Sequence, residues 1–145
     1  MMRYYRTISL AGALGFAAAG LLFLLRPDQA VAYFDRQAGL AGMLGLPLTG
    51  LPLTDTPLSG LNFYVVLAVG YMYLVTLLAI AMFLHPRQRV YPLLLAHAKL
   101  ASAVLSLYFF LARLRALIFL ANGVVDGVIG LLALYFYREL GKAGS

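Results

Sequence analysis

The chain has 145 residues, of which 63% are hydrophobic and 11% are charged. Soluble domains average about 45–50% apolar and about 25% charged residues, so this composition indicates lipid as the main solvent. The net charge of +6 does not indicate a nucleic-acid surface, because the basic residues stand in small groups at the ends of apolar segments. The sequence has no cysteine, which excludes disulfides, thiol nucleophiles and cysteine metal ligands.

Four apolar segments approach the length of about 20 residues that crosses a bilayer. They cover about residues 7–25, 62–84, 91–112 and 116–137, and residues 26–61 form an outer loop. We therefore predict an all-α fold: a polytopic bundle of four transmembrane helices, in a single domain over residues 1–145, with a short interfacial helix in the outer loop.

The positions of Lys and Arg predict the orientation of this bundle. Six lie on the side of the termini, namely Arg3, Arg6, Arg87, Arg89, Arg138 and Lys142. Four lie on the other side, namely Arg26, Arg36, Arg113 and Arg115. Because cytoplasmic loops carry an excess of basic residues, we expect both termini in the cytoplasm and place the protein in a bacterial cytoplasmic membrane.

The first apolar segment has two interpretations. Arg3, Arg6 and the small residues of "AAAG" are typical of a signal peptide, but the segment continues through Leu25, beyond the usual apolar core of about 7–15 residues, so an uncleaved helix is favoured.

Small residues recur along the first apolar segment, at Ala11, Gly15 and Ala19 and, on a neighbouring strip, at Gly12 and Gly20. Such spacing allows close helix contact, either within the chain or between copies.

The outer loop begins with a predicted interfacial helix at Pro27, which suits a helix start. Its residues alternate between an apolar side (Ala30, Val31, Phe34) and a charged side (Asp28, Asp35, Arg36). Gly-Leu-Pro-Leu-Thr then occurs twice, at 45–49 and 50–54, which favours extended chain. We expect residues 45–60 to form a lid on the outer face, with a docking strip for a partner as the alternative.

Lys99 lies near the middle of the third predicted helix, where a charge costs about 2.5–3.5 kcal/mol, so it needs a partner. Asp126, in the fourth helix, is the only other charged residue deep in any span. A tight turn makes the two helices antiparallel, and the two residues differ in depth by roughly 4.5 Å at about 1.5 Å per residue. We predict a Lys99–Asp126 ion pair at mid-membrane, supported by the polar neighbours Asn122, Ser102 and Ser106.

Three roles are open for this pair. It can fix the register of the two helices, it can open to bind a proton, an ion or a polar headgroup, or it can pair with another subunit. His97 points about 200° away from Lys99, so we expect it to hydrogen-bond to Tyr73 or Thr76 of the second helix. The alternatives for His97 are a proton relay or the axial ligation of a porphyrin or chlorin.

Catalytic and metal motifs are missing from the sequence: it has no HExxH, GxSxG or phosphate-binding glycine loop, and only two separated histidines. We predict no metal and no catalytic residue, the cofactor is unknown with none predicted, and a non-enzymatic function is favoured. Asp28 and Asp35 are the one candidate cation site, although helix capping and surface charge explain them better.

The layout is similar in outline to bacterial four-helix membrane proteins such as the DoxX-like ones. It differs from the small multidrug transporters, whose essential glutamate lies in the first helix, because the first helix here has no acidic residue.

The leading functional hypothesis is a small accessory or assembly subunit that docks on a larger membrane complex. The second is an oligomeric transporter or proton-coupled carrier that uses Lys99 and Asp126. The third is a lipid- or quinone-binding protein with its site beneath the 45–60 lid. The expected partners are membrane lipid and a larger membrane complex or further copies of the chain, and no nucleic acid.

Overall fold

A computed structural model describes residues 2–43, 45, 48 and 58–142, with the backbone alone at 28, 30, 31, 34, 35, 40, 41 and 58–63. The described residues form five helices: α1 (Met2–Leu25), α2 (Pro27–Met43), α3 (Leu58–Leu84), α4 (Val90–Ala112) and α5 (Leu117–Lys142). None of them lies in a β-strand. Helices satisfy their own backbone hydrogen bonds, which an apolar solvent requires.

Four of these helices contain segments long and apolar enough to cross a membrane: Met2–Leu25, Tyr64–Leu84, Val90–Ala112 and Leu117–Lys142. At about 1.5 Å per residue each exceeds the hydrocarbon thickness of about 30 Å. The predicted all-α fold with four membrane-length helices is therefore confirmed.

The ends of the helices differ from the prediction. The first helix begins at Met2 instead of residue 7, and the last continues to Lys142 instead of residue 137. The prediction followed only the apolar residues, whereas Arg and Lys are also good helix formers and prolong the helices beyond the apolar segments. The helix in the outer loop does begin at Pro27, but it has 17 residues and continues to Met43.

Two predictions for the outer loop concern residues without a described structure. The proposed lid over 45–60 lies outside the described residues except for Gly45, Leu48 and 58–60, and the last three already belong to α3. The side chains of Asp28 and Asp35, the candidate cation site, also lie outside the description.

The helices pack as two antiparallel pairs. Helix α1 packs mainly on α3, α4 packs mainly on α5, and a smaller contact between α3 and α4 joins the pairs. Helix α2 packs against α5 and, to a lesser extent, α1. The described backbones of α1 and α5 come close at few positions, although the rings of Tyr5 and Phe136 meet edge to face with centroids 5.0 Å apart.

The most extensive helix contact is between α4 and α5, and glycines on α5 lie within it. A Cβ atom at Gly130 would lie 2.8 Å from Cγ of Leu100 and 3.1 Å from its backbone nitrogen. A Cβ atom at Gly123 would lie 2.8 Å from the side chain of Leu107. At Gly130 the nearby backbone leaves no room for a larger residue, so this glycine sets the distance between the helices there, whereas at Gly123 the close atoms belong to the Leu107 side chain.

Cation–π contacts hold one end of the bundle together. The guanidinium of Arg6, near the start of α1, lies 4.9 Å from the ring centroid of Phe83 at the end of α3. The guanidinium of Arg89, just before α4, lies 4.5 Å from the ring centroid of Tyr137 near the end of α5. The start of α1 and the end of α5 therefore lie at the same end of the bundle, beside the turn that joins α3 to α4.

The two strips of small residues on α1 face different neighbours. Gly12 and Gly20 face α3, where Cβ atoms would lie 4.0 Å from Cβ of Ala79 and 3.0 Å from Cβ of Met72. A Cβ atom at Gly15 would meet no described atom of another element within 4 Å. The strip of Ala11, Gly15 and Ala19 instead borders the gap between α1 and α5.

Candidate functional site

The predicted ion pair is present between α4 and α5. Lys99 Nζ donates a hydrogen bond of 2.8 Å to Asp126 Oδ1. The side chains are 1% and 4% exposed, so the pair is almost completely buried. The antiparallel hairpin brings together two residues 27 positions apart, and the close approach at the α5 glycines lets the lysine reach the carboxylate.

Two aromatic rings complete the environment of the lysine. Lys99 Nζ lies 4.5 Å from the ring centroid of Phe16 on α1 and 5.0 Å from that of Tyr71 on α3. An ammonium over the face of a ring is attracted by its quadrupole, more strongly where water is absent. Tyr71 is itself fixed, because its hydroxyl donates a hydrogen bond of 3.0 Å to the Ala98 carbonyl of α4. Lys99 therefore contacts all three of the other long helices.

Asn122, Ser102 and Ser106 form a second polar network between α4 and α5. Asn122 Nδ2 donates to Ser106 Oγ at 2.8 Å and to Ser102 Oγ at 3.2 Å. Asn122 lies one helical turn from Asp126, as expected. We expected this cluster to support the ion pair. Instead, in the described structure, the asparagine bonds to the two serines, and none of the three bonds to Lys99 or Asp126.

Half of the Asp126 carboxylate has no partner. Its Oδ2 atom is buried and accepts no hydrogen bond from any described residue. A buried polar group without a partner costs about 1–3 kcal/mol, and more when it is charged. Buried polar atoms are usually satisfied, so this oxygen calls for a physical explanation.

The pair lies at the floor of an apolar groove of about 550 Å³ between α1 and α5, which we call the α1–α5 groove. The small strip Ala11, Gly15 and Ala19 lines one side, and α5 lines the other. Its polar lining residues are Ser9, Lys99, Asn122 and Asp126. The groove reaches the outside of the bundle, because the partly exposed Ile8 and Val125 also line it. Sequence reasoning missed this groove and the role of Phe16.

The remaining candidate residues lie apart from this site. His97 is exposed, and its Nδ1 bonds to the Leu93 carbonyl of its own helix at 2.8 Å. Thr76 donates to the Met72 carbonyl, and Tyr73 is 65% exposed. The expected hydrogen bond from His97 to Tyr73 or Thr76 is therefore wrong, because His97 faces outward and the hydroxyl of Thr76 bonds to the Met72 carbonyl of its own helix.

The described part of the chain has no cluster of side chains suited to bind a metal ion. Residues 2–43, 45, 48 and 58–142 contain no group of three histidine, aspartate or glutamate side chains placed to hold an ion. The described site combines a buried ion pair with an apolar groove, and Asp126 Oδ2 is a buried acceptor without a partner among the described residues.

The fold and the site together define the class of protein. Four helices of membrane length, a surface rich in exposed large hydrophobic residues and a buried Lys99–Asp126 salt bridge make this a small integral membrane protein. Comparisons with protein-family models, with curated proteins and with solved structures find no match.

Proposed function

We propose that this membrane protein binds a lipid-like molecule in the α1–α5 groove, with the polar end of that molecule next to Asp126. The observation that carries the proposal is Asp126 Oδ2, a buried carboxylate oxygen without a partner among the described residues, at the floor of an apolar groove. A hydrogen-bond donor on a bound molecule would satisfy this oxygen once the side chains around it move to expose it to the groove, and the apolar lining would hold the chain of that molecule.

The size and position of the groove support a small ligand. Its volume of about 550 Å³ falls in the range of about 300–1,000 Å³ that is usual for small-molecule sites. Its partly exposed lining residues Ile8 and Val125 lie on the outer surface of the bundle, which faces lipid. A molecule dissolved in the membrane can therefore reach the groove sideways, between two helices.

The groove and the unpartnered Asp126 oxygen favour lipid binding over the accessory-subunit and carrier hypotheses. An ion pair that only fixed helix register would be most stable with both carboxylate oxygens hydrogen-bonded. Asp126 Oδ2 has no hydrogen-bond partner among the described residues. A subunit that docks on a larger complex and a carrier that uses Lys99 and Asp126 are the other outcomes of the experiment below. We also propose that the termini lie in the cytoplasm, from the excess of basic residues at their end.

Native mass spectrometry of the protein, extracted from its own membrane in mild detergent, tests the proposal. We expect one bound molecule of lipid mass per chain. The variant Gly15→Leu should lose this mass, because its side chain would extend into the groove, where no described atom of another element lies within 4 Å of the Cβ position. The matched control is Gly70→Leu, at a helical glycine with equally open space that does not line the groove.

Two results would contradict the proposal. Recovery with larger subunits at fixed stoichiometry and without a lipid mass would favour the accessory subunit. Recovery without any bound molecule, or equal loss of the molecule in Gly15→Leu and Gly70→Leu, would remove the groove from the function and direct attention to transport.

A further inference from the structure

We infer that the molecule in the α1–α5 groove carries an uncharged hydroxyl head that donates a hydrogen bond to Asp126 Oδ2. This inference rests on the proposed function and adds the chemical class of the ligand. The class is that of neutral lipids with a hydroxyl head, which includes diacylglycerols, polyprenols and the reduced, quinol form of isoprenoid quinones.

The polarity of the head follows from which hydrogen-bonding groups at the floor are already engaged. Lys99 donates to Asp126 Oδ1, and its ammonium lies against the rings of Phe16 and Tyr71. The free group is an acceptor, Asp126 Oδ2. A ligand that only accepts hydrogen bonds, such as an ester or an oxidised quinone, would leave this oxygen unsatisfied.

The neutrality of the head follows from charge and depth. Lys99 already balances Asp126, so an added anion would face the carboxylate without a counter-charge. Asp126 lies nine residues from the start of α5 and sixteen from its end, about 14 and 24 Å along the helix at about 1.5 Å per residue. Charged headgroups are costly so far from the membrane surface, whereas a hydroxyl with one strong acceptor is tolerated.

The sequence contains no tryptophan, so a single introduced tryptophan can report binding without background. We choose Phe23→Trp, in the lining of the groove, and Tyr108→Trp, which is exposed on α4 outside this lining, as the control reporter. Three quenchers share one chain and differ in the head: 9,10-dibromooctadecanol, methyl 9,10-dibromooctadecanoate and 9,10-dibromooctadecanoate. They present a donor, an acceptor and an anion.

We expect the alcohol to quench Phe23→Trp at a concentration about 10- to 100-fold lower than the methyl ester, as fits a hydrogen bond to a charged acceptor. The carboxylate should bind no better than the ester. With Tyr108→Trp, which lies on the outer surface, the three probes should quench alike and only in proportion to their concentration in the surrounding lipid or detergent. The mass of the native occupant, extracted with organic solvent, then distinguishes an acylglycerol from a polyprenol or a quinol.

The double variant Lys99→Leu/Asp126→Leu, made in the Phe23→Trp background, tests the acceptor itself. The preference for the alcohol should disappear while the ester still binds, because the groove remains apolar. If this variant still preferred the alcohol to the ester, Asp126 would not be the group that recognises the hydroxyl head.

The failures are distinguishable. Equal quenching of Phe23→Trp by all three probes, stronger than for Tyr108→Trp, would overturn the head-group inference and leave the groove as a lipid site. Tightest binding of the carboxylate would overturn it in the same way. Equal quenching of both reporters would overturn the proposed function together with the inference.

Discussion

The interface between α4 and α5 and the gap between α1 and α5 are built from the same kinds of residue but have opposite properties. At the first, Gly130 brings two backbones so close that a Cβ atom would lie 3.1 Å from the backbone nitrogen of Leu100, and Gly123 accommodates the side chain of Leu107. At the second, Gly15 faces open space, and the helices leave a groove of about 550 Å³. A small residue therefore marks either a close contact or an empty volume, depending on what the opposite helix does.

The ion pair belongs to both regions, and its removal should have the largest effect. Lys99→Leu or Asp126→Leu alone leaves one buried charge without its partner, so we expect each to lower the free energy of unfolding by about 3–5 kcal/mol. The double substitution should recover most of this loss, because an apolar pair fits the same environment. Denaturant titration in detergent, followed by circular dichroism, measures all three variants.

A double variant as unstable as the single ones would contradict this prediction. It would mean that Lys99 stabilises the bundle mainly through Phe16 and Tyr71, and not through Asp126.

Gly130→Ala tests the close interface at its tightest described point. The added Cβ would meet the backbone nitrogen of Leu100 at 3.1 Å, and backbone cannot move aside as a side chain can, so we expect a loss of about 1–3 kcal/mol. Gly127→Ala is the matched control, since its Cβ would lie 3.7 Å from Cβ of Ala103, an ordinary contact. Because both changes gain the same helix propensity, the difference between them isolates the packing. Equal stabilities would show that the helices separate easily.

Tyr71→Phe tests the smaller contact that joins the two helix pairs. It removes the hydroxyl that bonds to the Ala98 carbonyl and keeps the ring near Lys99, so we expect a loss of about 0.5–1.5 kcal/mol. Tyr73→Phe, two residues away on the exposed side, should change the unfolding free energy by less than about 0.5 kcal/mol. If the two substitutions had equal effects, the bond from α3 to α4 would contribute nothing to stability.

His97→Leu should have the smallest effect. Its side chain is exposed and bonds only to its own helix among the described residues, so we expect a stability change within about 0.5 kcal/mol and unchanged quenching by the brominated alcohol. A loss of binding in this variant would restore His97 as a relay or ligand and would extend the site beyond the groove.

Much of the fold could be predicted because two rules are strict in lipid: helices must be long enough to span, and deep charges must be paired. The second rule found Lys99 and Asp126 from depth alone. The groove could not be found in this way. In a membrane bundle both the core and the outer surface are apolar, so hydropathy does not show which side of α1 packs on α3 and which faces the gap.

The same limit explains the error at His97 and the missed role of Phe16. The rotation of one residue relative to another on the same helix is known from the sequence, and it placed His97 away from Lys99 as observed. Which neighbour each side of a helix faces depends on how whole helices pack. His97 was expected to face α3, but it faces the outside of the bundle. Phe16 is one of many aromatic and aliphatic residues on its helix, and no sequence signal separates it from the others.

The position of the two charges within one hairpin has a consequence for biosynthesis. Helices α4 and α5 follow each other in the chain with only residues 113–116 between them. An unpaired charge would oppose transfer of either helix from the translocon into lipid, by about 2.5–3.5 kcal/mol. If the hairpin leaves the translocon as one unit, Lys99 and Asp126 neutralise each other within the hairpin, so the transfer of α4 and α5 into lipid does not require prior packing against α1 and α3, which precede them in the chain.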